Sequence, residues 1–402
     1  MSSTTLPQSG TGSVLSKLPS LTGMRVIAAL MVFFFHIGQL SPFRSTDTAD
    51  TYSSVFGQGG WVGVGFFFIL SGFVLTWSSR PSDTAPRFWR RRIAKVFPNH
   101  LVTSAAALII LVLAGQSVGG WKVFPALFLL QSWFPRIEIS SAANSVSWSL
   151  SCELLFYLSF PLLIRVVDRI RPNRLWYWTG AVVAAILAVP LLARLMPAQP
   201  GLTFAPVSES EFWFVYVLPP VRTLDFLLGI LLARIVRHGK WIRLDLGLSM
   251  VLVAAAYVCS AHVSWTFGLV AVTALPLGLM IAAAAQADLA GSWSPLRGRT
   301  MVWLGNVSFA FYLWHKMVLT EVRRWFGGPA TAWGTPGALG YIALVSAITL
   351  LLSWALYSLV EEPAMHRWGK SGRARHAVHH HEARDRDGRP VTAPARETTP
   401  MP

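Results

Sequence analysis

"GWVGVGFFFILSGFVLTWS", residues 60–78, runs nineteen residues without a charge. As a helix rising 1.5 Å per residue it reaches about 28 Å, close to the roughly 30 Å hydrocarbon core of a bilayer. Working outward, ten such apolar runs appear, at 24–42, 61–79, 99–115, 148–167, 175–195, 214–236, 246–261, 265–287, 301–320 and 338–360. Composition agrees. The 402 residues are 53% hydrophobic and only 13% charged, with mean hydropathy +0.49, whereas a soluble chain carries about a quarter charged residues. The expected fold class is all-α, a polytopic membrane helix bundle of about ten transmembrane helices.

The net charge of +16 does not point to nucleic acid, because the basic residues sit in short loops between apolar runs. If the shorter stretch 123–135 does not cross, one set of loops carries the clusters Arg80–Lys95, Arg165–Arg174, Arg234–Arg243 and Arg297–Arg299. The opposite set has only Arg44, Lys122, Arg136, Arg194, Arg323 and Arg324. Excess Lys and Arg mark the cytoplasmic side, so both termini are expected there. At about 13 residues, 123–135 is short for a span and reads as re-entrant or interfacial. Eighteen Trp suit a protein with two water interfaces.

Three regions follow: a polar N-terminal segment 1–20, a membrane domain 21–363, and a disordered basic tail 364–402. The N-terminal segment lacks the basic-then-apolar layout of a signal peptide, so the first span is expected to be retained. His376, His379, His380 and His381 lie in the tail and read as solvated. Cys152 and Cys259 have neither CxxC nor His spacing, so no disulfide framework and no metal site is expected. No internal repeat is seen in the sequence, and no soluble domain is expected after the membrane region.

Ionisable residues within apolar runs are the candidates for chemistry. Arg25 and His36 are eleven residues apart. Eleven steps of 100° return to within about 20° of the start, and the rise is about 16 Å. Both side chains therefore leave one face of one helix, with Arg25 at the cytoplasmic edge and His36 beyond the midplane. The plainer reading is an anchoring arginine and a packed histidine. In "RFWRRRIAKVFP", residues 87–98, the basic cluster either sets topology or binds phosphate through Arg91, Arg92 and Lys95. Gly60, Gly63, Gly65 and Gly72, with Ser71, permit close helix approach. Glu153, in "SVSWSLSCELLFYLSFP" (145–161), is expected in the same outer half as His36, with Ser147, Ser149 and Ser151 as partners. Arg222 and Asp225 stand three apart on one helix face and either pair or support a site. His315, beside Lys316, is a second outer-half histidine.

These stretches, in order, resemble the acyltransferase-3 family of integral membrane acyltransferases, from about Leu18 to Pro363. Arg25 and His36 match its Arg/Lys-x10-His pattern, Phe67–Phe73 its "FFxLSGF", and Arg91–Pro98 its basic motif. Trp148–Pro161 matches "WSLxxE…FYLxFP", Arg222–Gly229 "R…(D/E)FLLG", and Tyr312–His315 "YLWH". The resemblance implies transfer of an acetyl or other short acyl group from cytoplasmic acyl-CoA, acetyl-CoA foremost, to a hydroxyl. The acceptor would be a sugar, a glycolipid or a glycosylated natural product such as a macrolide. It implies a multi-pass protein of the plasma membrane. His36 and Glu153 become the catalytic candidates, and Arg25, Arg91, Arg92 and Lys95 the donor-binding ones. Ser71, Trp148, Arg222, Asp225 and His315 become supporting residues. Lys95 stands where the family usually has arginine, which weakens the expectation of a bidentate phosphate contact there. The extra esterase-like domain that some polysaccharide-acetylating members carry is not expected here, which favours a stand-alone enzyme acting on a small or lipid-linked acceptor. Glu153 would orient His36 or the acceptor, and direct transfer and an acyl-His36 relay both stay open. Without the resemblance, a transporter or flippase of a polar or glycosylated molecule is the first alternative, although paired half-repeats are not seen. A non-catalytic membrane binding protein is the second.

Overall fold

The computed structural model describes residues 18–80, 83–115 and 119–368. The tail from 369 and its histidines lie outside the described residues. Among the described residues, ten helices of 15 residues or more follow in chain order. They are α1 (Pro19–Leu40), α2 (Gly59–Ser78), α3 (Ala85–Leu113), α4 (Trp148–Asp168) and α5 (Leu175–Ala193). Then come α6 (Pro219–Arg237), α7 (Leu246–Ser260), α8 (Ala274–Leu289), α9 (Arg299–Trp325) and α10 (Thr335–Leu356). Each apolar run of the sequence overlaps one of these helices, although 214–236 and 265–287 begin in shorter helical segments, Trp213–Val217 and Trp265–Leu269, that precede α6 and α8. Among the described residues, extended pairing is confined to isolated bridges such as Phe43 with Trp333. Among the described residues, eight helical stretches are long and apolar enough to cross a membrane. The helix α7 is shorter, and α9 is not among the eight.

Among the helix starts that differ from the sequence expectation, those of α1 and α3 lie earlier for a physical reason. The first helix starts at Pro19 rather than 24. Polar Ser20 joins it because Asp288, at the end of α8, accepts from the Ser20 backbone N–H (2.9 Å) and hydroxyl (2.7 Å). Arg25 therefore lies about 9 Å inside the helix rather than at its edge. The helix α3 starts at Ala85, not 99, and carries the whole basic motif. Pro86 suits the first turn. Pro98 only removes one hydrogen bond, which a helix supported by neighbours tolerates. Residues 123–135 do not form a span: a helix over Gly120–Leu127 is followed by a 3-10 turn over Gln131–Trp133.

Glycines set the closest crossings. A Cβ at Gly72 would collide with the Phe226 carbonyl, and one at Gly229 with the Ile69 carbonyl, so α2 and α6 meet backbone to backbone. Gly63 faces the Ala28 carbonyl of α1, and Gly60 faces the Phe35 ring. Gly65 differs: its nearest neighbours, Arg222 Nη2 and Leu277 Cδ1, would lie 3.9 Å away. Gly72→Ala is expected to cost about 1–3 kcal/mol by overpacking, and Gly65→Ala less than about 0.5 kcal/mol. Thermal unfolding of the detergent-solubilised variants checks this, and equal losses would refute the crossing geometry.

Candidate functional site

The arginine-bearing ends of α2, α3, α4 and α6 converge. They enclose a cavity of about 360 Å³ whose lining includes Arg80, Arg91, Arg92, Arg165, Arg234 and Arg237. Only two carboxylates, Asp83 and Asp168, share that lining. Asp83 takes Arg91 (2.8 Å) and Asp168 takes Arg234 (3.0 Å). Arg237 Nη1 donates to the Thr76 carbonyl at 2.9 Å. The excess is positive, and an anion is the matching occupant. His238, just past α6, is held below the ordinary imidazole value by partial burial and then by the neighbouring Arg234 and Arg237 charges.

Leu75 and Arg92 also wall a second cavity of about 110 Å³, with Ser71, Lys95, Arg25, Glu153 and Tyr157. Phe88, Arg92, Lys95 and Asn99 present one face of α3 because they recur at intervals of three or four. Lys95 Nζ stands 4.0 Å from the buried Glu361, which also accepts from Asn99 Nδ2 at 2.7 Å. Arg25, Phe67, Glu153 and Phe309 are shared with a third cavity of about 40 Å³, which continues to Ser149, Ser308 and Tyr312. The Tyr312 hydroxyl donates to the Val146 carbonyl (3.1 Å) and lies 2.9 Å from Ser149 Oγ.

One turn further along α9, His315 meets His36. His315 Nε2 is 3.1 Å from His36 Nδ1. His315 is 1% exposed, and its Nδ1 lies 2.6 Å from the Tyr312 carbonyl. Gly305, Ser308, Tyr312 and His315 are all buried at helical spacing, so one face of α9 carries the far cavity wall and the histidine. The three cavities thus follow one another through shared wall residues, and the histidine pair lies one helical turn beyond the last of them. The arrangement begins at a cationic end suited to phosphate and ends at imidazoles able to move a proton.

The sequence-derived residues divide accordingly. Arg25, Ser71, Arg91, Arg92, Lys95 and Glu153 line the cavities. His36 and His315 are joined at the far end. Glu153 requires a correction. The expectation is that it orients His36 or the acceptor; it does not contact His36, but accepts from the Tyr157 hydroxyl at 2.8 Å and lines the cavities beside Arg25. The ring bonded to His36 belongs to His315. Arg222 and Asp225 pair at 2.8 Å, buried, behind the cavity wall rather than in it. The guanidinium lies over the rings of Phe68 (5.2 Å) and Tyr216 (5.4 Å), and Phe68 is the wall. Trp148 packs against Tyr216 and Phe68 in the same layer. Sequence reading did not find Tyr157 or Tyr312 as cavity residues. Their i+4 relation to Glu153 and i−3 relation to His315 was the available signal.

Comparison with known proteins gives the family. The family model described as "Acyltransferase domain" matches residues 18–358. The chain is 41% identical over 364 residues to acyltransferase MdmB of Streptomyces mycarofaciens, covering 88% of this chain and 93% of that one. It is 24% identical to the putative peptidoglycan O-acetyltransferase YrhL of Bacillus subtilis (86% of this chain, 54% of that one). It is also 24% identical to peptidoglycan O-acetyltransferase OatA of Listeria monocytogenes (75% and 49%). The chain thus spans about half the length of those two. No solved structure matches. A multi-pass helical bundle whose family match runs through every residue of the cavity series belongs to the acyltransferase-3 family of integral membrane acyltransferases.

Proposed function

We propose that this acyltransferase moves an acetyl or other short acyl group from cytoplasmic acyl-CoA to a hydroxyl of a sugar, glycolipid or glycosylated natural product such as a macrolide. His36 serves as general base. The observation that supports the reading is the cavity series itself, which runs from the arginine-lined cavity past Arg25 and Glu153 to Tyr312, one helical turn short of the paired histidines. In this reading the arginine end faces the cytoplasm, as the loop charges require, and the protein sits in the plasma membrane with both termini inside.

Arg80, Arg92 and Arg165 hold the donor's phosphates by charge-assisted hydrogen bonds. The 16 Å rise from Arg25 to His36 matches the reach of a phosphopantetheine arm in rough terms. Arg25 and Lys95 line its path, and Glu153 is held by Tyr157 within the same cavity. His36 removes the acceptor hydroxyl proton as oxygen attacks the thioester carbonyl. It returns that proton to the sulfur as the C–S bond breaks, so acyl group and proton exchange partners without net change.

Donor recognition gives the test. Arg92→Gln and Arg165→Gln should each raise KM for acetyl-CoA by about 10-fold or more, as expected when a charged hydrogen bond is lost. The turnover number should stay nearly unchanged, and raising the salt should narrow the difference from wild type. Steady-state kinetics in detergent decide it. An unchanged KM in both variants would remove the phosphate site from this cavity.

A further inference from the structure

We infer that His315 is a positioning residue that holds His36 with its Nδ1 protonated and turned inward, leaving Nε2 of His36 bare as the reactive nitrogen. The inference rests on the reading of His36 as the base and adds which atom acts and what holds it.

Three short contacts fix the tautomers of the two rings, because a backbone carbonyl only accepts. His315 Nδ1 lies 2.6 Å from the Tyr312 carbonyl, so Nδ1 carries the proton. In the neutral ring, Nε2 of His315 is then a lone pair, and it faces His36 Nδ1 at 3.1 Å. His36 Nδ1 is also 2.9 Å from the Val32 carbonyl. Both neighbours of that nitrogen are acceptors, so it must donate. One tautomer of each ring satisfies every contact, and it leaves Nε2 of His36 without a proton.

The two acceptors do different work. The Val32 carbonyl lies on the same helix, one turn back, and selects the tautomer. His315 comes from α9 and fixes the rotation of the ring across the helix–helix contact. It is itself immobilised: buried at 1% exposure, anchored to its own helix, and edge-packed on Phe33 with centroids 6.4 Å apart. As His36 takes up a proton its Nδ1–H becomes a stronger donor, so the bond to His315 strengthens when the base is charged. An orienting partner that also stabilises the imidazolium is the role a carboxylate plays in a hydrolase triad. Here a neutral imidazole fills it, and the contacts of the His36 Nδ1 are that ring and a backbone carbonyl rather than a carboxylate.

The full-length protein is compared as wild type, His315→Leu, His315→Gln and His36→Ala, with melting temperature measured for each. Loss of a hydrogen bond to the charged base should lower kcat of His315→Leu by about 10–100-fold, with KM for acetyl-CoA within about 2-fold. His315→Gln, whose side-chain oxygen can accept the same bond, should recover most of the rate. Equal losses in the Leu and Gln variants, or losses that follow melting temperature, would make His315 a packing residue and overturn the inference. Wild-type protein treated with iodoacetamide gives an independent reading that needs no variant. Alkylation of His36 at Nε2 is expected. Alkylation at Nδ1, or a ring that resists the reagent, overturns the assignment. Full activity in His36→Ala would instead defeat the underlying reading of the base, so the two failures are distinguishable.

Discussion

Alanine at position 36 is expected to lower kcat for acyl transfer by about 10²–10⁴-fold, the usual contribution of a positioned general base. The KM for the acyl donor should hardly change. His36 stands at the far end of α1 from the arginine cavity, separated from Arg25 by three helical turns, and lines none of the cavities described above. Donor affinity and proton transfer are therefore carried by different residues. The variant should also fold. His36 is only partly buried, and its removal leaves His315 anchored to Tyr312. A His36→Ala protein of normal melting temperature and near-normal rate would return this histidine to packing.

The second large effect concerns Arg222. Arg222→Met should destabilise the bundle by about 3–5 kcal/mol, because breaking a buried ion pair leaves an uncompensated charge. Arg222 and Asp225 are each 1% exposed, and they stand 2.8 Å apart without the alignment of a hydrogen bond. Arg222 Nε and Asp225 Oδ1 meet no hydrogen-bond partner among the described residues. The carboxylate therefore depends on its charge partner. Replacing both, as Arg222→Met with Asp225→Leu, should recover most of the loss, since an apolar pair of similar volume often equals a buried ion pair. Thermal unfolding of the single and double variants measures the coupling. A double variant as unstable as the single one would mean that the loss comes from Arg222 leaving the Phe68 and Tyr216 rings, not from the charge.

Much of the architecture was legible because lipid leaves few solutions. Apolar length and loop charge located the helices, since every backbone polar group in a bilayer must be satisfied within a helix or closed barrel. The alignment of Arg25 with His36 followed from 100° per residue alone. What failed depended on partners distant in sequence. Ser20 belongs to α1 only because Asp288 receives it from α8. The basic run before Pro98 reads as a loop by charge, yet Phe88, Arg92, Lys95 and Asn99 already carried a helical period toward the cavity. Glu153 could be assigned to a helix but not to a depth relative to α1, so its partner was misjudged. His315 stood out as a second outer histidine, but its 3.1 Å approach to His36 required the α1–α9 contact. The arginine cavity was hidden for a related reason. Its members come from four separate helix ends, each explained locally by topology.

The reading of the whole site as a route for an acyl donor is tested most directly by following the acyl group. Purified protein in proteoliposomes would receive acetyl-labelled CoA at the arginine-bearing face, together with a glycosylated acceptor extract. Label appearing in the acceptor with stoichiometric release of free CoA is the expected result. Acetyl-CoA left intact across the acceptors, while the same vesicles carry a glycosylated solute through the membrane, would contradict it and make the cavity series a transport path.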